Sequence, residues 1–545
     1  MIRDGATLDP KSLPTYDICI VGAGAVGIAM AHRLRKKDGT GLRVVVLESS
    51  VANVRGSKSP GALHAYDPIL HPSPGVIPSQ IPTEKQDTDP IVLDLDRGFV
   101  NAFTNAARSE GFLTASRSRT FGGSTNCWGG YIRPLDEHDF DGWPLKREDL
   151  VPFYRDALEL MKLEHFDWFD KPQEWIDSKL TWPIAQLDPP PHSPLRTVVI
   201  QQQQDPDIHC FQRQFGDVFD HDNITLIRNA TALYMKTGWA TSSNFHSTGL
   251  KCGSLIDAKT RGQDFEINAK YYVLAMGGLE IPRFLLNCIP GSYGLTELVQ
   301  RGLSKYYMNH PKYTDCGSGY VTLNKPITEA LKHFYDGTSL RTNSRVRIYA
   351  YLVPDPANRD KAINNFRLGL GLDRPANPGE RVKVGCEVNF EQEPNESSRV
   401  SLSTEVDVFG MRRLYLNWRF VEKDALTMNR SIEQARQLIS SLGTLSDWKA
   451  TEWKFDHDYD WPYPPLNGHQ YTGDHHMGTC RMRSDDTADD GVVNSRCQVS
   501  RFTNLWICST GVFRRGGWAN ATFTLLALAL RLADDLAKQP PLQSA

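Results

Sequence analysis

The stretch YDICIVGAGAVGIAMAHRLRKKDGTGLRVVVLESS, Tyr16 to Ser50, decides the fold. Ile18 to Val21 is a short apolar run of the kind that forms a buried strand. Gly22, Gly24 and Gly27 follow at G-x-G-x-x-G spacing. Ile28 to Arg35 reads as a helix, Asp38 to Gly41 as a turn, and Val44 to Leu47 as a second strand with Glu48 at its end. Each part has a physical role. The first glycine lets the chain turn sharply, the second lets a pyrophosphate approach the backbone, and the third lets helix and strand pack closely. The helix N-terminus turns its partial positive charge to the phosphates. Glu48 can accept both ribose hydroxyls, which disfavours a phosphorylated ribose. A glycine cluster alone arises by chance; strand, helix, strand and acid in order point to a dinucleotide. The motif does not separate NAD from FAD.

The rest of the chain sets the scale. At 545 residues it exceeds one simple core, and length alone suggests about three to four domain-sized units, or interleaved ones. The hydrophobic share of 40% and charged share of 23% are those of a globular protein. A net charge of -3 without a long basic run argues against a nucleic-acid partner. The N-terminal MIRDGATLDPKSLPTYD has no apolar core of a secretory signal. The late apolar run TFTLLALALRLADDLA is interrupted by Arg531, Asp534 and Asp535, and reads as a buried helix rather than a membrane span. A cytoplasmic protein with its ten cysteines reduced is expected.

Between 51 and 90 the chain is rich in Pro, Ser and Gly and reads as a long loop or lid. RSRTFGGSTNCWGGYIRPLDEHDF, Arg117 to Phe140, offers many backbone N–H groups and little bulk, which suits a flat cofactor. Leu158 to Pro194, rich in Trp and Pro, is a plausible cap. NITLIRNATALYM (from Asn223) and KYYVLAMGG (from Lys270) read as strands of the nucleotide domain, the latter leading through Ile281 and Pro282 into a helix. From about Lys312 to Pro462, alternating runs such as SRVRIYAYLV and RRLYLNWRF predict a separate antiparallel sheet.

GDHHMGTCRM, Gly473 to Met482, sets two histidines before a cysteine. All three residue types bind zinc, but no C-x-x-C or second ligand cluster accompanies them, so no metal is expected. Cys480 then reads as packing. A neutral imidazole can instead serve as a general base.

Taken together, these segments resemble the glucose–methanol–choline family of FAD oxidoreductases. GAGAVG with Glu48, GGSTNCWGG (Gly122 to Gly130), VLAMGGLEIPRFLLN, YYMNHP (Tyr306 to Pro311), EQEPNESSRVSLS with LNWRF, HHMGTCRM and GGWANATFTLLALALRLAD occur in the family's order. The Trp-Gly-Gly block and Asn520 to Thr522 resemble the sugar-oxidising branch related to pyranose oxidases. The resemblance implies an α/β fold with an α+β substrate part: a Rossmann-type FAD-binding domain interleaved with an antiparallel-sheet substrate-binding domain. The expected division gives the FAD-binding domain residues 14–150, 201–311 and 463–545. A cap segment spans 151–200, and the substrate-binding domain spans 312–462.

By the same resemblance, His475, the first His of H-x-x-G, is the general base and Asn520 its partner. FAD would be held by Gly22, Gly24, Gly27, Glu48, Arg119, Gly122, Gly123, Thr125, Asn126, Cys127, Trp128, Gly129, Ala232, Thr510 and Thr522. His476 should point away from His475 if the segment is extended. Cys127 stands where some relatives have a His bonded covalently to flavin; a small residue beside noncovalent FAD is expected. Ser509 stands where the family commonly has Asp. An arginine just before Asn520, Arg514 or Arg515, could contact an acidic or polyhydroxylated substrate or be an exposed ion-paired residue, the second reading being preferred, and Glu391 and Gln392 read as solvated or structural residues of the substrate sheet.

The expected activity is oxidation of an alcohol, on a sugar or glycoside, with oxygen or another carrier as electron acceptor and no nucleic-acid or membrane partner. A hydroxynitrile lyase-type or other non-redox flavoprotein is the alternative.

Overall fold

A computed structural model describes residues 1–35, 41–50, 119–126, 128–163, 166–169, 193–257, 260–327, 340–341, 346–450, 452, 470–472 and 475–539. The expected turn at Asp38, the Pro-rich 51–90 segment, Cys127 and most of the Trp- and Pro-rich cap lie outside these residues.

Among the described residues six parallel strands form one sheet, in the order Ile2–Asp4, Ile224–Arg228, Val44–Leu47, Tyr16–Val21, Ala269–Leu274, Leu505–Ile507. Continuous apolar runs suit them because both faces are covered. Tyr16–Val21 is buried throughout. Helices Ala25–Leu34, Arg147–Leu160 and Thr522–Ala537 pack together beside this sheet. The last is buried along most of its length, and Thr524 inside it meets the Tyr154 hydroxyl at 2.7 Å.

The second sheet is nine-stranded and antiparallel. Its ordered path joins Gly443–Ala450, Pro311–Leu323, Arg381–Phe390, Phe366–Leu372, Val346–Pro354, Leu195–Gln203 and Tyr131–Ile132. Alternation sorts its two faces. Leu368, Leu370, Val384 and Val388 belong to a core shared with Met428, Ile432 and Ile439 of helix Glu422–Leu442. Tyr349, Tyr351 and Val353 point the other way and belong to the larger core. Parallel and antiparallel sheets drawn from interleaved segments are the fold class expected from the sequence.

Three assignments differ from the sequence reading. The first helix begins at Ala25 rather than Ile28 because the turn after Gly24 is already helical. Of the two strands in NITLIRNATALYM, only Ile224–Arg228 joins the parallel sheet. Thr231–Trp239 pairs instead with Phe245–Asp257 in a three-stranded antiparallel sheet, since Asn229, at φ 53, turns the chain between them. RRLYLN, Arg412–Asn417, pairs only with Arg399–Val406 and stays apart from the nine-stranded sheet.

Candidate functional site

The three motif glycines differ in what a side chain would meet. Gly22 has φ +109, and a Cβ there would lie 2.7 Å from the Ala275 carbonyl oxygen. A Cβ on Gly27 would lie 1.9 Å from the Gly22 carbonyl oxygen, so the helix crosses the strand too closely for any side chain. At Gly24 the nearest atom would be Cα of Gly123, 3.9 Å away, so the space before it is open. Gly123 belongs to the second glycine block, which is pinned there by the Gly122 N–H donating to the Ala23 carbonyl at 2.8 Å. The two blocks therefore form opposite walls of one lane.

At the end of that lane Glu48 is buried and accepts N–H bonds from Ser50 at 2.8 Å and Ala23 at 3.3 Å. Burial pushes its carboxyl above the ordinary range, against those bonds and the Arg119 charge. Arg119 reaches Ser49 Oγ at 3.1 Å and Glu280 at 3.4 Å. Ala232 lies just beyond Ala230, whose N–H bonds the Glu48 carbonyl at 2.9 Å. These residues can line a dinucleotide.

The polar side chains of the second block are spent on the protein. Asn126 donates to the Phe121 carbonyl at 2.8 Å and accepts from Cys210 at 3.0 Å. Thr125 donates to the Gly122 carbonyl at 2.6 Å. Trp128 donates to the His209 carbonyl at 3.0 Å, and the Gly129 carbonyl accepts from Gln202 at 2.7 Å. They shape the loop, which leaves backbone and glycine surface for a ligand.

The two halves of the molecule meet at the histidines. Met308 and Met477 form an antiparallel bridge, each N–H bonding the other's carbonyl at 3.0 Å. Two residues further along each strand, that register sets His310 opposite His475. Their Nδ1 atoms are 2.8 Å apart and the rings stand at 85°. Asn309 fixes both backbones: its Oδ1 accepts from His310 N at 2.7 Å and His475 N at 3.1 Å. Gln392 in turn receives the Asn309 N–H at 3.1 Å and Trp418 Nε1 at 2.8 Å. His476 faces the opposite way, where its Nδ1 meets the Tyr307 hydroxyl at 2.9 Å. Its carbonyl accepts from Thr510 at 2.6 Å, so Thr510 spends its hydroxyl on the chain beside His475.

The hydrogen bonds favour one tautomer of the pair, assigned from the network. A carbonyl only accepts, so His310 Nε2, 3.3 Å from the Gly516 oxygen, carries a proton. Neutral His310 then presents a bare Nδ1. His475 must donate its own Nδ1–H, which leaves His475 Nε2 as a free lone pair. Burial, the two neighbouring imidazoles and Arg367 hold His475 well below the ordinary imidazole range. Burial holds His310 down at about 4.

Asn520 lies half-buried in the turn before Thr522–Ala537. It makes no hydrogen bond to His475; the partner that touches His475 is His310. Thr522 opens that final helix. The YYMNHP segment carried the signal for His310, but no role follows from its spacing alone. Cys480 is buried beside Thr479, away from the imidazole contacts, and packs.

One further expectation changes and another is narrowed. Arg515 is ion-paired but not exposed: it grips the fully buried Glu391 through Nε at 3.0 Å and Nη2 at 3.1 Å. Glu391 also accepts the Gly517 N–H at 3.1 Å, so the pair fixes the loop that leads to Asn520. Glu391 and Gln392 are structural, and neither is solvated. Ser509 caps a short turn by accepting the Gly511 N–H at 3.1 Å.

A parallel sheet thus joins an antiparallel sheet, with paired imidazoles at the junction. Residues 394–529 match the family model described as GMC oxidoreductase. The chain is 22% identical over 524 residues to 2-methyl-1,2-propanediol dehydrogenase of Mycolicibacterium austroafricanum, covering 79% of this chain and 82% of that protein. Its fold is similar to that of pyridoxine 4-oxidase from Mesorbium loti, with a TM-score of 0.55, 15% identity, and coverage of 96% and 99% of the two chains. The similarity to GMC oxidoreductases thus covers residues 394–529 by the family model, and the likeness to the solved structure is one of fold. No helix among the described residues is long and apolar enough to cross a membrane.

Proposed function

We propose that this protein oxidises an alcohol to its carbonyl compound, with FAD as the resident cofactor and His475 as the base. The observation that carries this reading is the His475–His310 pair, whose hydrogen bonds leave one unprotonated nitrogen, His475 Nε2, free for a substrate hydroxyl. The open lane before Gly24 and the acceptor at Glu48 fit a dinucleotide. Bound FAD would supply the acceptor for the hydride that leaves the carbinol carbon.

The chain's own residues do the rest. His475 Nε2 takes the hydroxyl proton, and the Nδ1–H bond to His310 keeps that nitrogen bare and the ring fixed. The Asn520 amide, which makes no side-chain hydrogen bond among the described residues, can hold the hydroxyl oxygen and orient the carbon. Because the neutral imidazole is strongly favoured, the base is ready at neutral pH. Alcohol oxidation also agrees with the names of the diol dehydrogenase and the pyridoxine oxidase. Within the alcohols, a sugar or glycoside is the class suggested by the Trp-Gly-Gly block.

Purified protein should show a flavin spectrum that bleaches when alcohols are added without oxygen. A flavin that is bound but never bleaches with any alcohol would favour the lyase-type alternative.

A further inference from the structure

We propose that Arg367, with Asn389 beside it, forms an anion-binding subsite, so that the alcohol oxidised here carries a carboxylate or phosphate group. The inference rests on the alcohol-oxidising reading above and adds the charge class of the substrate.

The sheet places the two residues. In FRLGLGL, Phe366–Leu372, the leucines face the core shared with helix Glu422–Leu442. Arg367, Gly369 and Gly371 therefore take the other face. The register sets Arg367 directly opposite Asn389. Tyr351 lies on that same face, and its ring centroid is 4.5 Å from the guanidinium carbon.

Neither polar side chain is satisfied. Arg367 is 7% exposed and Asn389 6%. Among the described residues, the Arg367 Nε–H donor is buried without a hydrogen-bond partner, and so is the Asn389 Oδ1 acceptor, which leaves the Arg367 donor as the group that calls for an anion. Among the described residues, Arg367 has no ion pair. Two carboxylates act on its neighbourhood, Glu387 on Tyr351 and Glu391 on His310, and both are committed elsewhere. Glu387 lies 3.4 Å from Lys312, and Glu391 is held by Arg515. A buried guanidinium is ordinarily paired, because an aromatic face replaces less of the lost hydration than a carboxylate does.

The position also lies close to the histidine pair: Asn389 is paired on its other side with Lys312, two residues after His310. The Arg367 charge depresses both His475 and His310, so it lies within electrostatic reach of the base. An oxyanion there would accept from the guanidinium fork and from the Asn389 Nδ2–H, and would anchor the substrate with its hydroxyl toward His475. Carboxylate and phosphate share this chemistry.

The test uses the FAD-loaded full-length protein and alcohols in matched neutral and anionic forms. These are glycerol with glycerate and glycerol 3-phosphate, methyl glucoside with methyl glucuronide, and benzyl alcohol with 4-(hydroxymethyl)benzoate. Anaerobic flavin reduction gives kcat/KM for each. The expected result is a preference of about tenfold or more for the anionic member of at least one pair, carboxylate and phosphate being told apart by the glycerol series. Arg367→Gln should bring that ratio toward one, and Arg367→Lys should keep part of it. Comparing ratios within each variant cancels any effect of the lost charge on His475.

A ratio of one or below in every pair overturns the proposal. So does a ratio that survives in Arg367→Gln, or a variant that shifts only the flavin potential, which would make Arg367 a counter-ion of the flavin. If no alcohol reduces the flavin, the alcohol-oxidation reading fails, and equilibrium binding decides Arg367 separately. Benzoate and inorganic phosphate would then be titrated against benzamide by flavin absorbance. Tighter anion binding that is lost in Arg367→Gln sustains the subsite, and equal binding overturns it. If Arg367→Gln yields no soluble protein, the Arg367→Lys ratio decides.

Discussion

His475 and His310 face each other across one β-bridge, Nδ1 to Nδ1 at 2.8 Å, although 165 positions separate them in the chain. The contact gives each ring one defined role, acceptor for His310 and donor for His475. His475→Ala should slow anaerobic flavin reduction by about two to four powers of ten while FAD stays bound. His310→Phe should cost up to about a hundredfold, since it loosens the ring without removing the base. Asn520→Ala should also be intermediate, and His476→Ala the mildest, because His476 points to Tyr307. A His476 variant slower than the His475 variant would reverse the assignment.

The same pair predicts a pH profile. The neighbouring imidazole and burial lower His475, so the acid limb of flavin reduction should lie below the ordinary imidazole value of 6.5. In His310→Phe the neighbour's contribution is gone, and the limb should move upward. A change in rate with no movement of the limb would leave His310 a packing role only.

Stability should follow pH in a defined window. His310 titrates at about 4 in the fold and near 6.5 when unfolded. Between these values the unfolded chain binds the extra proton. Stability is therefore complete above 6.5, falls as pH drops toward 4, and levels off below. The contribution is on the order of 3 kcal/mol. Thermal midpoints of wild type and His310→Phe, measured from pH 7 to 4, should converge as pH falls.

Gly24 and Gly27 should fail in different ways when changed to alanine. A methyl at Gly27 meets the Gly22 carbonyl at 1.9 Å and should unfold the N-terminal unit. A methyl at Gly24 meets nothing nearer than 3.9 Å, so the chain should fold but lose FAD. Glu48→Ala should likewise weaken FAD retention with the fold preserved. Circular dichroism and apoprotein titration with FAD separate the outcomes; full FAD affinity in Gly24→Ala would remove the lane from the cofactor site.

Arg515→Met should be strongly destabilising, by about 3–5 kcal/mol, because it strands a buried Glu391 carboxylate. The double change Arg515→Met with Glu391→Gln should recover part of the loss. Urea unfolding measures both, and equal stabilities of the single and double variants would mean that the pair is not coupled.

The sequence alone determined the strand–glycine turn–helix–strand unit and the mixed fold. Local rules suffice there: glycine spacing, apolar strands of buried length and an acid at a strand end all act within Tyr16 to Ser50. It also singled out His475 through a short motif. Strand partners were less legible. Thr231–Trp239 and Arg412–Asn417 alternate like any half-buried strand, and alternation does not say which sheet receives them.

The contacts that define the site belong to tertiary structure. His310 meets His475 because the Met308–Met477 bridge sets their register. Arg515 reads as a surface charge until Glu391 is brought 3.0 Å from it. Arg367 has no motif at all, and only the sheet shows it buried opposite Asn389, its Nε unpartnered among the described residues. Spacing along the chain encodes local geometry, whereas burial and the partner of a charge are decided by segments hundreds of residues apart folding onto one another.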